Sequence, residues 1–165
     1  YGGSVRLFHS INVKNGLTFT SVDLSSVDVE DYIQDNTKAI YAETPTNPMM
    51  RVSDLEELSK KAKKHELLLI VDNTFLSPYL QNPIAQGADL VVHSGTKFLG
   101  GHNDTLAGFL CTPIKALAEQ ILKIHDMPEE AYAQMAENAK NGAKDFDFPV
   151  LTEKLYQVIK RVEKD

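Results

Sequence analysis

Residues 67–74 read Leu67-Leu68-Leu69-Ile70-Val71-Asp72-Asn73-Thr74, an apolar run that gives way at once to polar side chains. The apolar part is continuous rather than alternating, the pattern of a central parallel strand covered on both faces. Upstream lies the clearest helix. Val52, Leu55, Leu58 and Ala62 recur along one face, Ser53 and Glu56 have capping-box spacing, and Lys60, Lys61, Lys63 and Lys64 fill the last turns, where cations complement the helix dipole. Before it, Lys38-Ala39-Ile40-Tyr41-Ala42-Glu43 predicts a strand that stops at Thr44-Pro45-Thr46-Asn47-Pro48, because two closely spaced prolines do not fit a regular element. Downstream, a turn segment with Pro78 and Pro83 leads through Gly87 to Asp89-Leu90-Val91-Val92-His93, a further buried strand. Strand, helix, strand, connection, strand is the βαβ signature, so the predicted class is α/β with a mostly parallel sheet flanked by helices.

The flanks are read with the same rules. Leu17-Thr18-Phe19-Thr20-Ser21-Val22 is rich in β-branched and aromatic residues and predicts a half-buried strand. Ser25 and Ser26 followed by Val29, Tyr32 and Ile33 predict a short helix that ends at Asp35-Asn36-Thr37. Beyond Cys111 the spacing is helical over 114–124, 129–144 and 152–162, with no convincing strand. The expected division is an α/β part over 1–111 and a helical segment over 112–165, to which the residues themselves assign no chemistry.

Composition narrows the function classes. The chain has 165 residues, 17 basic and 23 acidic, for a net charge of −6. No basic surplus is available to neutralise phosphates, which argues against a nucleic-acid partner. The longest apolar run, Leu67 to Val71, is far short of the roughly 20 residues that cross a bilayer, so no membrane partner is expected. The lone Cys111 excludes a disulfide framework or a multi-cysteine metal site within one chain. The start, Tyr1-Gly2-Gly3, has neither Met nor a signal-peptide pattern, and the expectation is a cytoplasmic enzyme or enzyme fragment.

In open parallel sheets, ligands bind in the crevice at the carboxyl ends of the strands. Three polar clusters fall at such ends: Thr44–Pro48, Asp72-Asn73-Thr74 and Ser94-Gly95-Thr96-Lys97. Lys97 is either a solvated surface charge or, partly desolvated at a strand end, a Schiff-base amine. Asp72 either caps the next turn or holds a cationic ring nitrogen, as pyridoxal phosphate chemistry requires. Ser94 and Thr96 either cap a turn or, with local N–H groups, donate to a phosphate. Asp72 and Lys97 are expected at the carboxyl ends of adjacent or near-adjacent parallel strands. No G-x-S-x-G elbow, P-loop or dinucleotide fingerprint occurs. His93, His102, Asp104 and Cys111 fit no familiar metal-ligand spacing, so no metal site is assigned, and His9, His65 and His125 read as structural or solvated.

Four ordered motifs then carry a resemblance: Tyr1-Gly2-Gly3-Ser4, Glu43-Thr44-Pro45-Thr46-Asn47-Pro48, Val71-Asp72-Asn73-Thr74-Phe75, and Ser94-Gly95-Thr96-Lys97-Phe98-Leu99-Gly100-Gly101-His102. Over roughly residues 1–111 the chain resembles the pyridoxal-phosphate enzymes of cysteine and methionine metabolism, which include cystathionine γ-synthase, the cystathionine lyases, methionine γ-lyase and the O-acetylhomoserine sulfhydrylases. The wording of residues 94–104 is most similar to bacterial cystathionine γ-synthase or O-acetylhomoserine-using members.

The resemblance implies a fold-type I large domain, the cofactor pyridoxal 5′-phosphate, a small amino-acid substrate and a homo-oligomer. It implies that Lys97 carries the cofactor covalently and later shuttles protons between substrate carbons. By the same resemblance Asp72 partners the pyridine nitrogen, and Ser94 and Thr96 are phosphate ligands. Asn47 contacts the phenolic oxygen, Thr74 touches the ring, and Tyr1 stacks on it and serves as an acid or base. The family's upstream glycine-rich phosphate turn, its Tyr/Arg pair lent to a neighbouring subunit and its carboxylate-gripping arginine have no match here. The expectation is therefore a trans-sulfuration enzyme, acting by γ-replacement or β/γ-elimination and present as an incomplete fragment; the alternative is a non-catalytic α/β fragment or fusion module that retains only part of the cofactor site.

Overall fold

Leu69 and Val71 are completely buried, and the sheet is organised around them. The computed structural model describes residues 1–131, 133, 134 and 137. In chain order the α-helices and strands among the described residues are α1 (Gly2–Arg6), β1 (Ala39–Glu43), α2 (Leu55–Lys64), β2 (Leu68–Asp72), α3 (Ser77–Leu80), β3 (Leu90–Ser94), β4 (Gly108–Cys111) and α4 (Lys115–His125). The sheet order is β1-β2-β3-β4. β1, β2 and β3 run parallel, with Glu43 beside Asp72 and Asp72 beside Val92. β4 returns antiparallel along β3, with Gly108 opposite Ser94. The fold is the mostly parallel α/β sheet that the sequence predicts.

The chain divides into two compact units. One holds Tyr1 and residues 20–123, and therefore the sheet. The other holds residues 2–19 and those from 124 onward; within it Phe8 stacks on Phe19 with ring centroids 5.0 Å apart. The helices predicted over 129–144 and 152–162 lie largely or wholly outside the described residues, whereas that over 114–124 is present as α4.

One face of the sheet forms the core. Ile40, Ala42, Leu69, Val71 and Val91 pack with Leu55, Leu58 and Ala62 of α2. Burying each of the larger side chains stabilises by about 1.5–3 kcal/mol. The opposite face is more open than a strand covered on both sides requires: Leu68 is 38% exposed, and Ile70 and Asp72 are half-buried. At the entry to β3, Gly87 has φ +96, and a Cβ there would collide with the Ser59 side chain, whose hydroxyl donates to the Gly87 carbonyl at 3.0 Å. Only glycine lets this turn lie flat on α2.

Several local expectations are corrected. The N-cap of α2 is Asp54, whose Oδ1 accepts the Glu57 N–H at 3.0 Å. Ser53 is buried, and its N–H goes to Thr44 Oγ1. Val52 is 67% exposed and does not belong to the core face, while Ser59 does. Residues 17–22 are irregular chain: the Leu17 N–H closes a turn onto the Asn12 carbonyl, and strand propensity makes no strand without a ladder partner. Over 25–33 only a 3₁₀ turn, Val29–Tyr32, forms: Asp28 caps it by accepting the Glu30 N–H, while the Ser25 N–H is drawn to the Asp23 side chain and starts no helix. β4 escapes sequence reading because its four exposed residues show no alternation.

Lysines at the end of α2 also fix the chain before β1. Hydrogen bonds from Lys64 and His65 hold the Glu30 carboxyl below its usual range, and those from the Glu30 N–H and Lys61 do the same for Asp28. Their stabilisation is present at neutral pH and is lost as pH falls through the lowered values.

The loops that leave β1 and β2 are tied by a buried amide pair. Asn73, fully buried, donates from Nδ2 to the carbonyls of Ser77 at 3.1 Å and Gln81 at 2.9 Å. Gln81 Nε2 donates in turn to Asn73 Oδ1 at 2.9 Å and to the Thr44 carbonyl at 3.2 Å. Gln81→Ala should cost about 1–3 kcal/mol, because two buried acceptors lose their partner. Asp54→Ala should cost about 1 kcal/mol and Ser53→Ala should leave the cap intact. Urea midpoints of the three variants check both statements, and a larger capping loss in the Ser53 variant would reverse the assignment.

Candidate active site at the strand ends

Parallel pairing brings the carboxyl ends of β1, β2 and β3 to one rim, and each of the three polar clusters leaves the sheet there. Glu43, the last residue of β1, accepts the Asn47 N–H on Oε1 at 3.0 Å and so holds Asn47 at the rim. The Tyr1 and Asn47 side chains are exposed, Tyr1 at 56%.

β2 ends on Asp72. Its Oδ1 accepts the Thr74 N–H at 3.0 Å, and its Oδ2 accepts the Tyr41 hydroxyl at 3.1 Å. Thr74 Oγ1 accepts the Ser94 N–H at 2.8 Å, which locks the loop after β2 to the end of β3. The Phe75 and Phe98 rings meet edge to face with centroids 6.0 Å apart and fasten the same two loops one step further out.

After β3 the chain turns through Gly95–Leu99. Gly95 is buried; a Cβ there would lie 2.6 Å from the Phe109 ring and 2.9 Å from the Ala107 Cβ, so the backbone passes flat against the start of β4. Thr96 is pinned by Ala107, donating from Oγ1 to its carbonyl at 3.3 Å and accepting its N–H at 3.1 Å. Lys97 interrupts the turn with φ −97 and ψ −127 and is exposed, so the desolvation expected of it is not present among the described residues. Lys97 and Asp72 follow neighbouring parallel strands, as the sequence predicts.

The donor set suits a phosphorylated pyridine aldehyde. An ionised carboxylate has about four acceptor sites; two on Asp72 are taken, which leaves capacity for a ring N–H. Among the described residues the Ser94 hydroxyl has no hydrogen-bond partner, and Lys97 presents an unpaired primary amine. Thr96 is less available, since its hydroxyl already serves Ala107. Sequence reasoning missed Tyr41 and Glu43 as partners of Asp72 and Asn47, and Gln81 as the link between Asn73 and Thr44. The signal for Tyr41 was its phase: it shares a face with Glu43, the register partner of Asp72. Among the described residues no three His, Cys, Asp or Glu side chains are grouped to hold a metal, and no helix is long and apolar enough to cross a membrane.

Comparison with known proteins agrees with this geometry. The sequence profile of the family described as Cys/Met metabolism PLP-dependent enzyme matches residues 1–143, and so extends past Cys111. Cystathionine β-lyase of Lactococcus lactis subsp. cremoris (strain MG1363) is 51% identical over 122 residues, which cover 73% of this chain and 32% of the relative. Cystathionine γ-synthase/O-acetylhomoserine (thiol)-lyase of Bacillus subtilis (strain 168) is 50% identical over 124 residues, covering 74% and 33%. The crystal structure of cystathionine γ-lyase from Lactobacillus plantarum complexed with L-serine superposes with a TM-score of 0.72 at 43% identity, over 84% of this chain and 34% of that one. The chain thus spans 32–33% of the length of these two curated relatives. Rim geometry, ordered motifs and profile agree, and the chain belongs to the Cys/Met metabolism PLP-dependent enzyme family.

Proposed function

We propose that the protein is a pyridoxal-phosphate-dependent enzyme of trans-sulfuration, acting on a sulfur amino acid or an O-acylhomoserine by γ-replacement or β/γ-elimination. The observation that carries this reading is the shared rim, where the Asp72, Ser94 and Lys97 segments leave neighbouring parallel strands. Relatives named β-lyase, γ-synthase and γ-lyase are 51%, 50% and 49% identical, so the proposal stays at the reaction class rather than one member of it. By the same resemblance we place the enzyme in the cytoplasm as a homo-oligomer.

Pyridoxal phosphate, when bound, supplies an electron sink for the charge left as a bond to the substrate's α carbon breaks. The chain's own residues would do the rest. The Lys97 amine would hold the cofactor and would hold or move a proton at Nζ. The Asp72 carboxylate would partner the ring nitrogen and keep it protonated. Ser94 Oγ and N–H groups of the Gly95–Leu99 turn would meet a phosphate that carries close to two negative charges, and Thr96 Oγ1 would join them only by giving up its bond to the Ala107 carbonyl. Asn47 would contact the phenolic oxygen and Thr74 the ring. Tyr1 offers a ring for stacking and a phenol for acid–base work.

Two outcomes test the assignment. Borohydride reduction in the presence of cofactor should label Lys97, and Lys97→Ala should abolish the label; adducts on Lys38 or Lys115 instead would overturn it. In Asp72→Asn, cofactor affinity should fall by about tenfold at most while turnover falls by about a hundredfold or more, because a neutral amide cannot stabilise the protonated ring. A variant with full turnover would remove the ring-nitrogen role.

A further inference from the structure

We propose that Tyr41 is a positioning residue for the cofactor: its hydroxyl fixes the Asp72 carboxylate in the orientation that receives the pyridine nitrogen. The inference rests on the proposed cofactor role of Asp72 and extends it to a residue in none of the four motifs.

The strand register brings the two side chains together. Tyr41 pairs with Ile70 and Glu43 with Asp72, so Tyr41 and Asp72 are diagonal neighbours on the same face of adjacent strands. Two residues along a strand is about 6.6 Å, a span that a tyrosine ring covers and a serine or threonine does not. The hydroxyl donates to Asp72 Oδ2 at 3.1 Å, and both residues are half-buried on the open face of the sheet.

The second anchor matters because of what the first leaves free. The Thr74 N–H holds Oδ1 and defines the turn after β2. A carboxylate held by one oxygen still swings about that contact, whereas one held at both oxygens has a fixed plane. Both partners of Asp72 are donors, and its remaining lone pairs then keep one direction. A pyridine N–H meets an acceptor ordered before it arrives, which lowers the ordering cost of binding. The apolar core lies on the other face of the sheet.

The test is a double-mutant cycle on cofactor affinity, read by absorbance titration of the chain with pyridoxal 5′-phosphate, with melting of the cofactor-free protein measured alongside. Tyr41→Phe should weaken binding roughly three- to tenfold and change the visible spectrum of the bound cofactor at fixed pH, while the cofactor-free melting temperature stays put. In an Asp72→Ala background the same change should cost less than about twofold, since the group it positions is gone. Equal losses in both backgrounds, no loss in the first, or a loss that tracks a fall in melting temperature would each overturn the inference. If the unaltered chain formed no reducible adduct on Lys97, the proposed function would itself fail. A normal adduct with a silent Tyr41→Phe would instead sink the Tyr41 role alone.

Discussion

Parallel pairing of strands with one buried face is the constraint on which the site depends. A strand alternates its side chains, so once Leu69 and Val71 are committed to the core, Ile70 and Asp72 must face the other way. The same holds for Ile40 and Ala42 against Tyr41 and Glu43 in β1. Because β1, β2 and β3 all run in one direction, their polar ends arrive at a single rim. A slip of one residue in β2 would put Asp72 into the core and Leu69 into the open. Hydrophobic burial thus sets the orientation of a carboxylate that takes no part in that burial.

The rim is then held by short polar links rather than by apolar packing. Thr74 joins the β2 loop to Ser94, and Gln81 joins Asn73 to Thr44. Both links cross from one loop to the next, so the three clusters are braced as a set. Gly95 adds a steric requirement, since β4 passes too close for any Cβ at that position. Ser94, Thr96 and Lys97, the residues proposed to meet the cofactor, therefore leave the sheet from a backbone clamped on both sides.

Tyr41 and Asp72 join these two levels. Sheet register decides that they are diagonal neighbours, and the hydrogen bond between them turns that register into side-chain order at the proposed cofactor position. Such positioning groups are hard to see in a chain read residue by residue, because their partner is chosen by strand pairing and lies 31 residues away in sequence.

The sequence by itself determined the class of the fold, the three parallel strands to within a residue or so, the helix between the first two, and the three polar clusters at their ends. It could do so because apolar runs, prolines and glycine turns act locally and leave their pattern in the chain. It also carried the motifs by which Lys97, Asp72 and their neighbours are recognised. Only the tertiary structure decided that Asp54 rather than Ser53 caps α2, because Thr44, distant in sequence, claims Ser53. It alone decided that residues 17–22 form no strand, since a strand needs a partner that local propensity cannot supply. β4 appeared only through its pairing with β3. Likewise, the roles of Glu43, Gln81 and Tyr41 emerged only with the folded sheet, because a hydrogen bond between strands is a property of their register, and no single stretch of sequence contains it.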